Sequence, residues 1–230
     1  MFVVEDNPKS IIAESYKTLR TNIQYSSYDR KLKAIVVTSS QPGEGKSLTV
    51  GNIALSLVQD NKRVLVIDCD LRRPTIHKKF GIMNEKGIAE VIVGSSTIYE
   101  VIKRYKKLDI ITAGKIPPNP SEMLGSEKMK NIINELKEIY DYILIDSPPV
   151  LAVTDAQIIS TIVDGVIFVA RYGIAKKDKI TLAKSQLNKV NANLIGTILH
   201  GITKGNKIYD YYDYYGEDVS GNKKKRRGKH

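Results

Sequence analysis

Short apolar runs rich in β-branched residues recur along this chain, separated by stretches whose apolar positions fall three and four residues apart. Residues 33–39 (KAIVVTS), 63–68 (RVLVID), 142–146 (YILID), 165–170 (GVIFVA) and 194–199 (LIGTIL) predict strands buried on both faces of a parallel sheet. Residues 108–112 (LDIIT) predict a shorter sixth. Between them, Val50, Ile53, Ala54, Leu57 and Val58 form one apolar helical face. Met129, Ile132, Ile133, Leu136 and Tyr140 form another, and Ile180, Ala183, Leu187 and Val190 a third. Ile12, Tyr16, Leu19 and Ile23 predict a helix ahead of the first core strand. Asn119-Pro120-Ser121-Glu122 reads as a helix start, with Asn119 as cap, Pro120 at the first position and Glu122 reaching back.

Strand and helix in alternation, joined by right-handed crossovers, predict an α/β fold: a doubly wound, mostly parallel sheet with ligands at the carboxyl ends of its strands. Residues 81–107 carry no pattern that assigns an element. The alternation stops at Gly201, which divides the chain into a domain over 1–200 and a flexible, tyrosine-rich and basic tail over 201–230.

Composition changes this picture in two ways. The single cysteine, Cys69, excludes an internal disulfide and suits a reducing compartment, where its expected role is packing. No signal peptide is recognisable and no apolar run is long enough to span a bilayer, which predicts a cytoplasmic protein. The formal net charge of +11 is uneven, because Lys223, Lys224, Lys225, Arg226, Arg227 and Lys229 crowd the last ten residues. Such a run is either a solvated tail or an adhesive for an anionic surface. Nucleic acid is not expected as a partner, since no basic stripe interleaved with aromatics crosses the body.

The candidate chemistry sits at strand ends. Ser40-Gln41-Pro42-Gly43-Glu44-Gly45-Lys46-Ser47 follows a predicted strand and opens a predicted helix, the context of a P-loop. Gly43 and Gly45 let backbone N–H groups turn around phosphates, and the helix N-terminus adds positive potential. Lys46 would neutralise β/γ oxygens and Ser47 would bind magnesium, with Glu44 and Leu48 completing the nucleotide-binding segment. The strict pattern has Gly where Ser40 stands. Asp68 and Asp70 end the second strand; two apart in an extended chain, they would face the same way. Asp146 ends a third apolar run and precedes Ser147-Pro148-Pro149, which cannot continue a central strand. Asp68 and Asp146 are the candidate metal acids beside Ser47. His77, His200 and His230 form no cluster, so no structural metal is expected.

Over nearly its whole length the chain resembles the bacterial tyrosine kinases of capsule and exopolysaccharide assembly, in particular the kinase chains of Gram-positive bacteria. The resemblance is carried by SSQPGEGKS, by VLVIDCDLRRP, by ILIDSPPV with TDA at 154–156, and by IPPNPSE at 116–122. HRD and DFG triplets of eukaryotic-type kinases are absent. The resemblance implies ATP- and magnesium-dependent transfer of the γ-phosphate to tyrosine. It carries over Lys46, Asp68, Asp70 and Asp146 as catalytic residues, with Asp68 assigned to deprotonating the hydroxyl and Asp70 to metal or positioning. Adjacent acids share protons, so that division stays open.

It also implies autophosphorylation of Tyr209, Tyr211, Tyr212, Tyr214 and Tyr215, five tyrosines within seven residues. A helix motif E-x-x-R-x-x-R, read here as Glu14, Lys17 and Arg20, implies packing into a neighbouring subunit of a ring. Lys17 keeps the charge of the arginine it replaces and lacks its bidentate fork. Where relatives place an asparagine near the adenine this chain has His200, and either its ring or backbone groups would make that contact. The implied partner is the cytoplasmic tail of a separate membrane-anchored activator, which would hold the kinase at the inner face of the membrane. The competing reading is a partition or cell-division ATPase, whose P-loop carries an early signature lysine; Gln41 stands at that place here. A scaffold that only binds nucleotide is the third.

Overall fold

A computed structural model of the chain describes residues 2–26 and 32–202. The tyrosine cluster at 209–215 and the basic run after it lie outside the described residues. The described chain begins with α1 (Val3–Asp6) and α2 (Ile11–Ser26), then β1 (Ala34–Ser39), α3 (Lys46–Gln59) and β2 (Val64–Asp68). Next come α4 (Ile76–Phe80), α5 (Ile88–Val93), α6 (Ile98–Val101), β3 (Ile102–Tyr105) and β4 (Leu108–Ile111). They are followed by α7 (Pro120–Leu124), α8 (Glu127–Ile139), β5 (Tyr142–Asp146), α9 (Asp155–Ser160), β6 (Gly165–Arg171), α10 (Lys177–Lys189) and β7 (Leu194–His200).

The strands form one seven-stranded sheet in the order β3-β4-β2-β5-β1-β6-β7. Every pairing is parallel except β3 with β4. Strand alternation sends successive side chains to opposite faces, which produces two cores. On one face Val36, Ile67, Ile145 and Phe168 pack against Leu124, Ile133 and Leu187 from the later helices. On the other, Ile35, Val37, Val66 and Leu144 pack against Ile53 and Leu57 of α3 and Tyr16 and Ile23 of α2. Because β2, β5, β1 and β6 are buried on both faces, their sequences read as continuous apolar runs.

Three local expectations are corrected. β3 was not legible: IKRY at an edge is short and half exposed, so neither an apolar run nor clean alternation marks it. Asn119 does not cap α7 with its side chain; its Nδ2 donates to the Glu122 carboxylate at 2.8 Å instead. Pro120 does stand at the start of that helix. The extended-chain argument for Asp68 and Asp70 also fails, since β2 ends at Asp68 and the chain turns, with Asp70 N donating to Asp68 Oδ1 at 3.2 Å.

The N-terminal segment is strapped onto the P-loop helix. Val4 N donates to Asn52 Oδ1 at 3.2 Å, and the Phe2 ring covers Gly51 so closely that a Cβ there would lie 2.0 Å from Cε1. Phe2 in turn stacks on Phe80 of α4, 4.5 Å between ring centroids. Glycine at 51 is thus required for a close approach and not for backbone conformation. Gly51→Ala should cost about 1–3 kcal/mol by overpacking. Urea unfolding checks it, and the cost should largely vanish in a Phe2→Ala background.

Candidate active site

The carboxyl ends of β1, β2 and β5 meet where the central crossovers diverge. β1 delivers the loop 40–45, in which Gly43 and Gly45 both adopt positive φ, +83° and +95°, backbone that L side chains rarely take up. α3 starts at Lys46 with its free N–H groups turned toward this loop. The loop is braced from within. Glu44, fully buried, accepts from Ser40 Oγ at 3.0 Å and from Gln41 N at 2.8 Å. Ser40 therefore has a use that glycine could not serve, and Glu44 points into the loop's own frame.

Lys46 is nearly buried, and its charge favours the ionised forms of both Asp70 and Asp146. Ser47 Oγ donates to Asp146 Oδ2 at 2.5 Å and accepts from Thr75 Oγ1 at 2.7 Å. Leu48 turns away and packs against the α2–α3 core.

Asp68 and Asp146 are register partners on adjacent parallel strands, both buried. Asp68 Oδ2 accepts from Thr75 N and Ile76 N, at 3.1 and 3.0 Å, where the chain enters α4. Burial, reinforced by the neighbouring Asp146 charge, pushes the Asp68 carboxyl well above the ordinary carboxylate range. Burial also pushes Asp146 up, to about 7, against the opposing pull of Lys46 and Ser47. Asp70 is more open, raised by partial burial and restrained by the Arg73 N–H.

Asp146 Oδ1 is buried without a hydrogen-bond partner. An orphan carboxylate oxygen beside a serine hydroxyl and a second acid fits a hard divalent cation. Among the described residues no group of three or more His, Cys, Asp or Glu side chains could hold a metal ion by itself. The remaining ligands would have to be phosphate oxygens and water, which is the usual arrangement for magnesium.

Three contacts here were not foreseen. Arg72 grips the fully buried Asp155 through Nε at 2.9 Å and Nη2 at 3.2 Å, and Ser121 Oγ donates to the same carboxylate. This ties the loop after β2 to the starts of α7 and α9. Arg171 Nη1 donates to Gly43 O at 3.0 Å. The His200 ring lies against Gly45, where a Cβ would come within 2.5 Å of its Cδ2, and burial lowers its basicity. Paired long-range contacts of this kind leave no local pattern. Cys69 is fully buried and its thiol is pushed well up by burial, so it packs and does not react.

Glu14, Lys17 and Arg20 lie apart from this site, on α2. Lys17 Nζ is 2.6 Å from Glu14 Oε1, and Arg20 Nη1 donates to Ser56 O at 2.9 Å. No described helix is long and apolar enough to cross a membrane.

The family model described as an AAA domain matches residues 32–194. The tyrosine-protein kinase YwqD of Bacillus subtilis is 41% identical over 211 residues, covering 91% of this chain and 88% of that protein. The CapB protein of Staphylococcus aureus is 38% identical over 217 residues, covering 94% of this chain and 95% of its own. The solved kinase domain of Escherichia coli tyrosine kinase ETK superposes with a TM-score of 0.87 at 32% identity, covering 90% of this chain and 82% of that domain. Against the full-length E. coli protein, this chain spans 29% of the length.

Proposed function

Because this chain belongs to the bacterial tyrosine-protein kinases represented by YwqD and ETK, we propose that the site at β1, β2 and β5 transfers the γ-phosphate of ATP to tyrosine hydroxyls. The observation that carries the reading is the convergence of the Lys46–Ser47 helix start with buried Asp146, whose Oδ1 has no partner.

ATP lays its phosphates in the loop 40–45, held by backbone N–H groups and the start of α3, with the Lys46 ammonium on the β/γ oxygens. Ser47 and Asp146 are the magnesium residues, with Asp68 beside them; a bound magnesium supplies positive charge to the phosphates. In the transfer, the tyrosine oxygen forms a bond to the γ-phosphorus while the bond from that phosphorus to the bridging oxygen of ADP breaks. The hydroxyl proton passes to the Asp68 carboxylate. Asp68 suits that task because burial and the Asp146 charge increase its proton affinity. Asp70, the more open acid, positions the incoming hydroxyl. Base catalysis of this kind contributes about 10²–10⁴-fold, and charge neutralisation and alignment supply the remainder.

The substrate nearest to hand is the cluster Tyr209, Tyr211, Tyr212, Tyr214 and Tyr215, which makes 201–230 a regulatory tail to a kinase domain over 1–200. Glu14, Lys17 and Arg20 are the self-association surface, forming a ring in which one subunit's tail reaches another's site. The partner we propose for this chain is the cytoplasmic tail of a membrane-anchored activator. That partner would place the kinase at the inner face of the membrane. The likeness to CapB favours capsular or exopolysaccharide assembly as the regulated process.

Incubation with Mg-ATP, with and without the activator tail, followed by mass spectrometry tests this. Phosphate on Tyr209 to Tyr215 is the expected result. ATP hydrolysis without phosphotyrosine in either condition would transfer the chain to the switch ATPases, a reading that Gln41 at the signature-lysine place already disfavours.

A further inference from the structure

The opposite pole of the sheet carries a second feature that phosphotransfer does not use. Two hollows of about 350 and 390 Å³ share Arg104, Asp109, Ile139 and Tyr140, and so form one continuous groove. Its floor is the amino-terminal ends of β2 and β4. The nucleotide loop lies at the carboxyl ends of the same sheet, so the groove is separate from the active site.

Four cations line the groove: Lys62, Arg63, Arg104 and Lys107. Two acids oppose them. Asp109 holds Arg104 at 2.6 Å and accepts from Tyr140 Oη at 2.9 Å, while Asp141 holds Arg63 at 3.5 Å. Lys62 and Lys107 form no ion pair among the described residues, which leaves a surplus of two positive charges on the rim. Tyr99 offers a largely exposed ring at one end. Free cations and an open aromatic face suit a ligand that joins an aromatic ring to a compact anion.

We propose that this groove binds the segment 209–218 of this chain in its tyrosine-phosphorylated form. The proposal rests on the reading above only in that the segment's tyrosines become phosphorylated. Charge supports it: Asp210, Asp213, Glu217 and Asp218 punctuate the tyrosines, and each phosphate adds about −1.5 to −2. Reach decides whose tail it is. Between β7, near the end of the described chain, and β4 lie five strand spacings, about 24 Å, and the sheet is about 17 Å tall. Residues 203–208, which precede the segment, extend to about 20 Å, short of the roughly 30 Å diagonal, so the segment that docks comes from a second copy of this chain. Phosphorylation would thereby withdraw that tail from the nucleotide site.

The test uses the full-length chain in EDTA, so that no transfer occurs, and a fluorescent peptide of residues 207–218 synthesised with phosphate on Tyr212 and Tyr215. Anisotropy should show the phosphopeptide binding about ten-fold or more tightly than the unphosphorylated peptide, or about 1.4 kcal/mol. Lys62→Glu with Lys107→Glu should abolish that difference while the melting temperature holds. Lys184→Glu with Lys189→Glu, the same charge change on exposed positions of α10, should leave it intact. Equal loss in both double variants would reduce the effect to net charge and overturn the proposal. Equal affinity for the two peptides, or displacement of the phosphopeptide by ATP, would overturn it too. Since the peptide arrives already phosphorylated, a chain inactive as a kinase would fail the mass-spectrometric test and still pass this one.

Discussion

Lys46→Met should reduce tyrosine phosphorylation by about 10²–10³-fold or more while the protein stays folded. The side chain stands at the first position of α3, nearly buried, with Asp70 and Asp146 both within its field. Methionine keeps the length and apolar stem, so packing around α3 survives. What disappears is the charge that the γ-phosphoryl group needs as its bond to ADP lengthens. A second consequence follows from the same geometry: without the ammonium, Asp146 holds its proton to a higher pH than it does now. The decisive readout is phosphotyrosine by mass spectrometry alongside nucleotide affinity by calorimetry. Phosphotyrosine within a few-fold of the wild type would remove Lys46 from the phosphate site and with it the proposed mechanism.

The parts of the fold most legible in the sequence were those buried on both sides. β1, β2, β5 and β6 lie inside the sheet, and burial on two faces forces the apolar runs from which they were read. β3 was illegible because half-exposed residues carry no periodic constraint, and α5 and α6 because elements so short do not display a helical period. The P-loop was legible because close phosphate approach admits few residue types at Gly43, Gly45 and Lys46. Its bracing was not: Ser40 looked like a departure from the pattern, and only the folded loop makes it the partner of buried Glu44. Asp155 stood in plain sight within TDA, yet its pairing with Arg72 spans 83 residues of chain, a distance no local pattern reports. Asp68 and Asp146 fell between: each was found at a strand end, but their apposition depends on β2 lying beside β5.

That apposition makes Asp146→Asn a variant with opposite effects on activity and stability. In the metal-free protein the Asp146 carboxyl is shifted from 3.8 to about 7, chiefly by burial. The folded state thus binds this proton more tightly than the unfolded chain does. A raised carboxyl of this kind stabilises the fold fully at low pH, and the contribution is lost as pH rises from about 4 through 7. Metal-free wild type should therefore weaken over that window. Asparagine carries no charge to bury, and its carbonyl can still accept from Ser47, so the variant's stability should stay flatter with pH. Placing an amide where Oδ1 now lacks a partner costs something, so the net gain above neutral pH should be about 1–2 kcal/mol. Phosphotransfer should nevertheless fall by about 10²-fold or more, because the oxygen suited to magnesium is gone. Mg-ATP should raise the melting temperature of the wild type at pH 8 well beyond that of the variant. A variant less stable than the wild type in EDTA at pH 8 would mean that burying the Asp146 carboxylate costs the empty site nothing. A variant that kept its activity would mean that the cation is held elsewhere.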